Sequence, residues 1–301
     1  MRTNFERQPL DYELRLHIIS IQTAVLLLLR VGLQEYIFGG DHMLKFAANL
    51  SMLFNEVGFL DRFDAAAKAG FTGVEYVSPY EYPSEQLVEA LERNHLTQVL
   101  HNLPVGDWDA GDRGIACQPD RAGEFQDSVG RAIEYASVLG CKQVNCLAGI
   151  TPAGVDPDVL RETFVTNLKF AAQKLGEREI SLLVEPINTR DIPGFYLTHS
   201  AQVRSIMDEG SFTNLWLQYD VYHMQIMEGN LTLTMSENQD VIKHIQIADN
   251  PGRNEPGTGE INYPFLFESI DRMGYEGWIG CEYRPLTTTI EGLHWSKMYL
   301  R

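Results

Sequence analysis

Basic residues are scarce in this chain: 24 Lys and Arg face 41 Asp and Glu, for a formal net charge of −17. Affinity for a phosphate backbone needs clustered cations, and no basic block occurs, which excludes a nucleic-acid surface. Cysteine is also sparse. Cys117, Cys141, Cys146 and Cys281 match neither a small disulfide framework nor a paired zinc motif, so they read as reduced, packed thiols of a cytoplasmic protein. The apolar stretch from Ile18 to Leu29, broken by Gln22 and Thr23 and closed by Arg30, is shorter than the ~20 residues of a membrane-spanning helix. Sequence repeats, low-complexity tracts and Pro- or Ser-rich linkers are missing, and nothing marks a domain boundary after Met43.

Residues 1–42 stand apart from the rest of the chain. No well-formed small-residue cleavage site comes after their apolar stretch, as a signal peptide would require, and the strand pattern begins at Met43 with LKFAANLSM. They are expected to be an N-terminal extension outside the native protein, with Met43 as the natural start. Gly39 and Gly40, whose codons begin GG, fit a purine-rich ribosome-binding site just upstream. An amphipathic extension packed on the main body is the alternative. Residues 43–301 are long enough to bury one large core and are expected to form a single domain.

Within them, strand and helix signals alternate. Strands are predicted at Leu44–Leu50, Gly73–Val77, Leu96–Leu103, Gln143–Leu147, Ile180–Glu185, Leu215–Asp220, His244–Ala248 and Trp278–Tyr283. Between them, segments such as SEQLVEALERN and FQDSVGRAIEYASVLG place apolar residues at helical spacing and end in Gly or Asn, the usual C-terminal stop. Eight strands in strict alternation with helices imply parallel pairing and an α/β fold of the (β/α)8 TIM-barrel type. The long segments Asn102–Pro119 and Asp249–Asn262 come after the third and seventh strands, on the face where such barrels carry their active sites, and are candidates for enclosing a substrate.

Glu185, Asp220, Gln246 and Glu282 each lie at or near the end of a short apolar run: ISLLVEP, NLWLQYD, KHIQIAD and GWIGCEY. Carboxylates facing one barrel mouth are costly unless paired or bound to a cation, so the set points to a divalent metal. Its oxygen donors suit Mg²⁺ or Mn²⁺; zinc would prefer more His or Cys. Singly, each residue has an ordinary reading. Glu185 can form a salt bridge, Asp220 can cap the helix that carries His223, and Gln246 can complete a core hydrogen-bond network. The Gly-rich run Pro256–Gly259 lacks the Lys and Ser or Thr of a nucleotide loop and reads as a flexible cover instead.

FAANLSMLF, HNLPVGDWDAGDRGIAC, VEPINTRDIPGFYLT, QYDVYHMQIMEGNLT, HIQIADNPGRNEPGTGEINY and GWIGCEYRP together resemble the hydroxypyruvate isomerases of the xylose isomerase-like TIM-barrel superfamily. The resemblance spans Met43 to the end. It implies interconversion of hydroxypyruvate and 2-hydroxy-3-oxopropanoate, with Glu185 and Glu282 as the acid–base pair and the four strand-end residues as metal ligands. Many relatives carry His at the position of Gln246, and the Gln weakens the ligand set. An anionic substrate also needs donors. Arg253, His101 and His223 are the candidates, with Glu75 and Trp108 lining the pocket; in related barrels the position matching His223 contacts substrate. Relatives of this barrel often associate as a homo-oligomer through faces away from the active site, and the sequence itself leaves the oligomeric state open. Three rivals are an isomerase or epimerase of a longer keto-acid or ketose such as 2-oxo-tetronate, a metal-dependent hydrolase of the apurinic-endonuclease kind, and a non-catalytic carbohydrate-binding barrel. The hydrolase would need a His-rich multi-zinc site and a basic face, and the chain has neither.

Overall fold

Successive residues of a strand point to opposite faces, and in this chain both faces are buried along most of each strand, as a barrel inside a ring of helices requires. The computed structural model describes residues 44–300; the expected extension, residues 1–42, lies outside the described residues. Strands β1 Lys45–Asn49, β2 Gly73–Glu75, β3 Thr97–Asn102, β4 Gln143–Cys146, β5 Ser181–Val184, β6 Leu215–Asp220, β7 Ile242–Ile247 and β8 Trp278–Cys281 form a closed parallel barrel in sequence order. The ring closes where Lys45 to Ala48 pair with Trp278 to Cys281.

Helices alternate with the strands. They are α1 Asp61–Lys68, α2 Ser84–Arg93, α3 Ala122–Leu139, α4 Pro157–Gly176, α5 Ser200–Gly210, α6 Val221–Met227, α7 Leu231–Glu237, α8 Tyr263–Arg272 and a short α9 Thr289–Gly292. Local chemistry sets their ends. Asp156 caps α4 by accepting the Asp158 N–H, Pro157 takes the first-turn position that needs no donor, and Gly140 ends α3 in the left-handed region at φ 67°. No described helix is long and apolar enough to cross a membrane.

Alternation divides the core in two. Outward residues such as Phe46, Val74, Val144, Leu182, Leu217, Ile245 and Ile279 join helix residues in one large cluster. Inward residues Ala47, Val99, Leu100 and Leu183, with Trp216 and Trp278 against them, fill the barrel itself. Gly73 makes room there, because a methyl group on it would strike the Trp278 ring. All four cysteines are free and buried, and burial raises the thiols of Cys117 and Cys141 to about 12, so they pack and do not react.

Candidate active site

The inward parity that stacks apolar side chains low in the barrel delivers carboxylates at its C-terminal end. Glu185 lies just past β5, Asp220 ends β6 and Glu282 lies just past β8. One oxygen from each, together with Nε2 of His223, falls within a group whose members all lie within 4.8 Å of one another, and all four residues are buried.

Each is held by a neighbour. Asn145, inward on β4, donates to Glu185 Oε2 at 2.9 Å, and Asn49, inward on β1, donates to Glu282 Oε1 at 3.0 Å. Asp220 caps α6: its Oδ1 accepts from the N–H of Tyr222 at 2.7 Å and more weakly from that of His223 at 3.4 Å. Its other oxygen, Oδ2, is buried without a hydrogen-bond partner. Capping and a role in the site are therefore shared between two oxygens of one residue.

The tautomer of His223 is fixed by its neighbours. Its Nδ1 faces the Asn188 backbone N–H at 3.3 Å and the Asn188 amide nitrogen at 2.6 Å. The orientation of that amide is set, because Asn188 Oδ1 accepts from the N–H groups of Arg190 and Asp191 at 3.0 and 2.7 Å. Nδ1, with a donor at 2.6 Å, is thus an acceptor and the proton sits on Nε2, which lies 3.5 Å from Asp220 and 3.9 Å from Glu185; an Arg253 nitrogen is also 3.5 Å from Nε2 but donates to Glu282 at 2.7 Å. His223 is a donor into the cluster. Burial, reinforced by Arg253, pushes its pKa well below the usual histidine value and keeps the ring neutral.

Arg253 arrives from the loop after β7. Asp249 organises that loop by accepting from the N–H groups of Asn250, Gly257, Gly259 and Ile261 at 2.9 to 3.1 Å. The glycine N–H groups of Pro256–Gly259 therefore serve the loop's own carboxylate. Arg253 adopts φ 55°, a conformation uncommon for a residue with a Cβ, and places a guanidinium nitrogen 2.7 Å from Glu282 and 3.6 Å from Asp220. Burial disfavours its charge, but Glu282, Asp220, Glu185 and Asp191 overcome this and raise its pKa.

One guanidinium does not balance three carboxylates. Burial first, then Glu282 and Asp220, raises Glu185 well above the carboxylate range; burial, opposed by Arg253 and reinforced by Asp220 and Glu75, lifts Glu282 to about 8. Asp220 is also raised by burial. Without a further cation the site holds protons at neutral pH. The unpartnered Asp220 Oδ2 and the converging oxygens of Glu185 and Glu282 also fit a divalent cation.

Four expected site residues make further contacts of their own. Gln246 lies inward on β7, where its Oε1 accepts from Gln218 at 2.6 Å and its Nε2 donates to Glu75 at 2.7 Å; one hydrogen bond leaves the second lone pair of that oxygen free for the expected metal. Glu75 is fully buried among Asn49, Gln246 and His244. His101 packs edge-on against Tyr80, and neither ring nitrogen has a hydrogen-bond partner; burial lowers its pKa to about 3, opposed by the Ala132 backbone of α3. Its ring thus faces the helices and not the carboxylates. Trp108 is 48% exposed in the loop after β3, with the Arg113 guanidinium 3.6 Å from its ring centre. Sequence reasoning passed over Asn49, Asn145 and Asn188. An Asn in the inward register of an apolar strand, as in FAAN and QVNC, was the available signal for the first two.

Comparisons with known proteins agree with this architecture. The description "xylose isomerase-like TIM barrel" belongs to a family model that matches residues 63–299. The chain is 55% identical over 257 residues to a hydroxypyruvate isomerase of Escherichia coli K12, covering 85% of this chain and 100% of that one. It is 48% identical over 258 residues to a 2-oxo-tetronate isomerase of Cupriavidus necator, covering 86% and 99%. A crystal structure from Brucella melitensis, titled as an AP endonuclease of family 2, superposes with a TM-score of 0.84 at 44% identity, covering 86% of this chain and 100% of that one. From the closed barrel, the acidic strand ends and matches that run nearly the full length of the relatives, the chain belongs to the xylose isomerase-like TIM barrel family.

Proposed function

We propose that the protein isomerises hydroxypyruvate to 2-hydroxy-3-oxopropanoate, with Glu185 and Glu282 as the proton-transferring pair. The observation that carries this is the pair itself: two buried carboxyls converging on one small space beside a half-buried guanidinium. Two positioned carboxyls can take a proton from one carbon and return it to the next.

The substrate is a carboxylate with a carbonyl at C2 and a hydroxymethyl carbon at C3. One glutamate removes a C3 proton, giving an enediolate across C2 and C3; a proton returns to C2, and the hydroxyl proton at O3 passes to O2. A proton has moved from carbon to carbon and another from oxygen to oxygen, so no redox partner is needed. Arg253 and the Nε2–H of His223 supply donors for the substrate carboxylate and the enediolate oxygen. Glu185, Asp220, Glu282 and the amide oxygen of Gln246 would hold Mg²⁺ or Mn²⁺, which when bound supplies electrostatic stabilisation of the enediolate oxygens. Gln218 and Glu75 orient the Gln246 amide. Four buried free cysteines support a reducing, cytoplasmic setting.

The relatives acting on 2-oxo-tetronate favour a second reading in which the same proton transfer occurs on a substrate one carbon longer. NMR of both keto-acids with purified protein decides between them. The expected result is faster conversion of hydroxypyruvate, with kcat lowered about 10²- to 10⁴-fold in Glu185→Gln and in Glu282→Gln. Preferred turnover of 2-oxo-tetronate would move the assignment to the longer substrate, and no turnover of either would refute it.

A further inference from the structure

A fourth carboxylate lies inside the barrel beside Glu282, and the proton transfer described above makes no use of it. Glu75 Oε1 accepts from Asn49 Nδ2 at 3.0 Å and from Gln246 Nε2 at 2.7 Å, while Oε2 lies 2.7 Å from His244 Nε2. Asn49 also donates to Glu282 Oε1 at 3.0 Å, and its own Oδ1 accepts from the Ser51 N–H at 3.1 Å. Both amide hydrogens and the amide oxygen are therefore engaged, and three partners set the plane of the group.

The neighbouring wall is shaped for this arrangement. Gly280 shares the inward face of β8 with Glu282, and a methyl group on Gly280 would overlap the Glu75 carboxylate. Glu282 meets Asn49 with Oε1 and Arg253 with Oε2, at 3.0 and 2.7 Å, so its terminal rotation is restrained at both oxygens. A buried amide hydrogen deprived of its acceptor would draw Asn49 away from this geometry.

We propose that Glu75 and Asn49 form a positioning relay for the isomerisation. Glu75 fixes the Asn49 carboxamide, and Asn49 fixes which oxygen of Glu282 faces Arg253 and the reacting carbon. The relay needs an acceptor oxygen at residue 75 and not a charge. A Gln there retains that oxygen for Asn49 and Gln246, and its amide nitrogen can donate to His244 when the imidazole proton sits on Nδ1 and the Gln143 amide, whose nitrogen lies 3.3 Å from Nδ1, turns its oxygen to that proton. The inference rests on the isomerase assignment for its kinetic consequence and on geometry alone for its structural one.

The test combines steady-state kinetics on hydroxypyruvate with crystallography of the variants. Asn49→Ala and Glu75→Ala are each expected to lower kcat about 10- to 100-fold with little change in KM, the usual range for residues supporting an active group. The double variant should be no slower than the slower single one, because both remove one coupled interaction. Glu75→Gln should recover to within about threefold of the parent, since the acceptor is restored. Losses that multiply, a change confined to KM, or Glu75→Gln as slow as Glu75→Ala would overturn the relay. If Glu75→Ala does not fold, Asn49→Ala is the smaller change and an unaltered kcat in it overturns the relay by itself. The crystal structure of Asn49→Ala gives a reading independent of turnover: Glu282 turned away from Arg253 supports the relay, and an unchanged Glu282–Arg253 contact overturns it. Failure of the parent to convert hydroxypyruvate would remove the isomerase assignment while leaving this structural outcome decisive.

Discussion

Glu282 illustrates how much a single side chain here depends on what surrounds it. An ordinary carboxyl ionises near 4.5, and in the folded protein burial, despite Arg253, holds this one protonated to about 8. The folded state therefore binds the proton more tightly than the unfolded chain. Its contribution to stability is fully present below about 4.5 and is lost as pH rises through about 8, with Glu185 and Asp220 acting in the same direction. His101 acts in the opposite sense. It is depressed from 6.5 to about 3 by burial, so its contribution is present above 6.5 and is lost as pH falls toward 3. Metal-stripped protein is thus expected to lose melting temperature between pH 5 and pH 8, and Glu282→Gln, which cannot ionise, to show a shallower decline. Parallel melting curves for the two proteins across that range would contradict the assigned direction.

At the scale of elements, the loop after β7 does the most to build the site. A carboxylate that accepts four backbone N–H groups ties the loop together, and the loop holds Arg253 in an uncommon conformation over Glu282. Asp249→Asn replaces one acceptor oxygen with a donor facing those N–H groups, and is expected to cost about 1.5 to 3 kcal/mol, the range for hydrogen bonds to charged groups. Hydrogen exchange should show lost protection of Gly257, Gly259 and Ile261, accompanied by a fall in kcat/KM as Arg253 loses its place. Unchanged protection at these amides would mean that the loop is held by other contacts. The eight strands and the glutamates at their ends were legible in the sequence because alternation and helical spacing are local patterns. The contacts of Gln246 and Glu75 were not, since Glu75 on β2 meets Gln246 and His244 on β7 across the barrel interior, between strands far apart in the chain. His101 was misplaced for a related reason: the pairing of β2 with β3 shifts register between Val74 and Glu75, so proximity to a strand end did not reveal the face it occupies.

For the whole molecule, the acidic site and the acidic composition act together. Three buried carboxyls share a single guanidinium and hold protons in its place, and a cation that displaces those protons and is bound only by the folded state stabilises it by mass action. Titrating metal-stripped protein with Mn²⁺ or Mg²⁺ is expected to add about 2.7 kcal/mol at a hundredfold excess over Kd. For a domain of this size that is a rise in melting temperature on the order of 5 to 10 °C. Glu185→Gln combined with Asp220→Asn should abolish the rise. A melting temperature indifferent to both ions would exclude the cation from the site.

The sequence by itself determined the barrel, its polarity and the strand ends that carry Glu185, Asp220 and Glu282, because period-2 and helical patterns and the turn residues between them act over short stretches of chain. Only the tertiary structure decided which atoms of those residues remain available. The tautomer of His223 depends on Asn188, the orientation of the Gln246 amide depends on Gln218 and Glu75, and the two-sided restraint of Glu282 depends on Asn49 and Arg253. Each is a hydrogen-bond choice made among residues far apart in the chain, and such a choice exists only after closure of the barrel has removed the water that would otherwise satisfy every group equally.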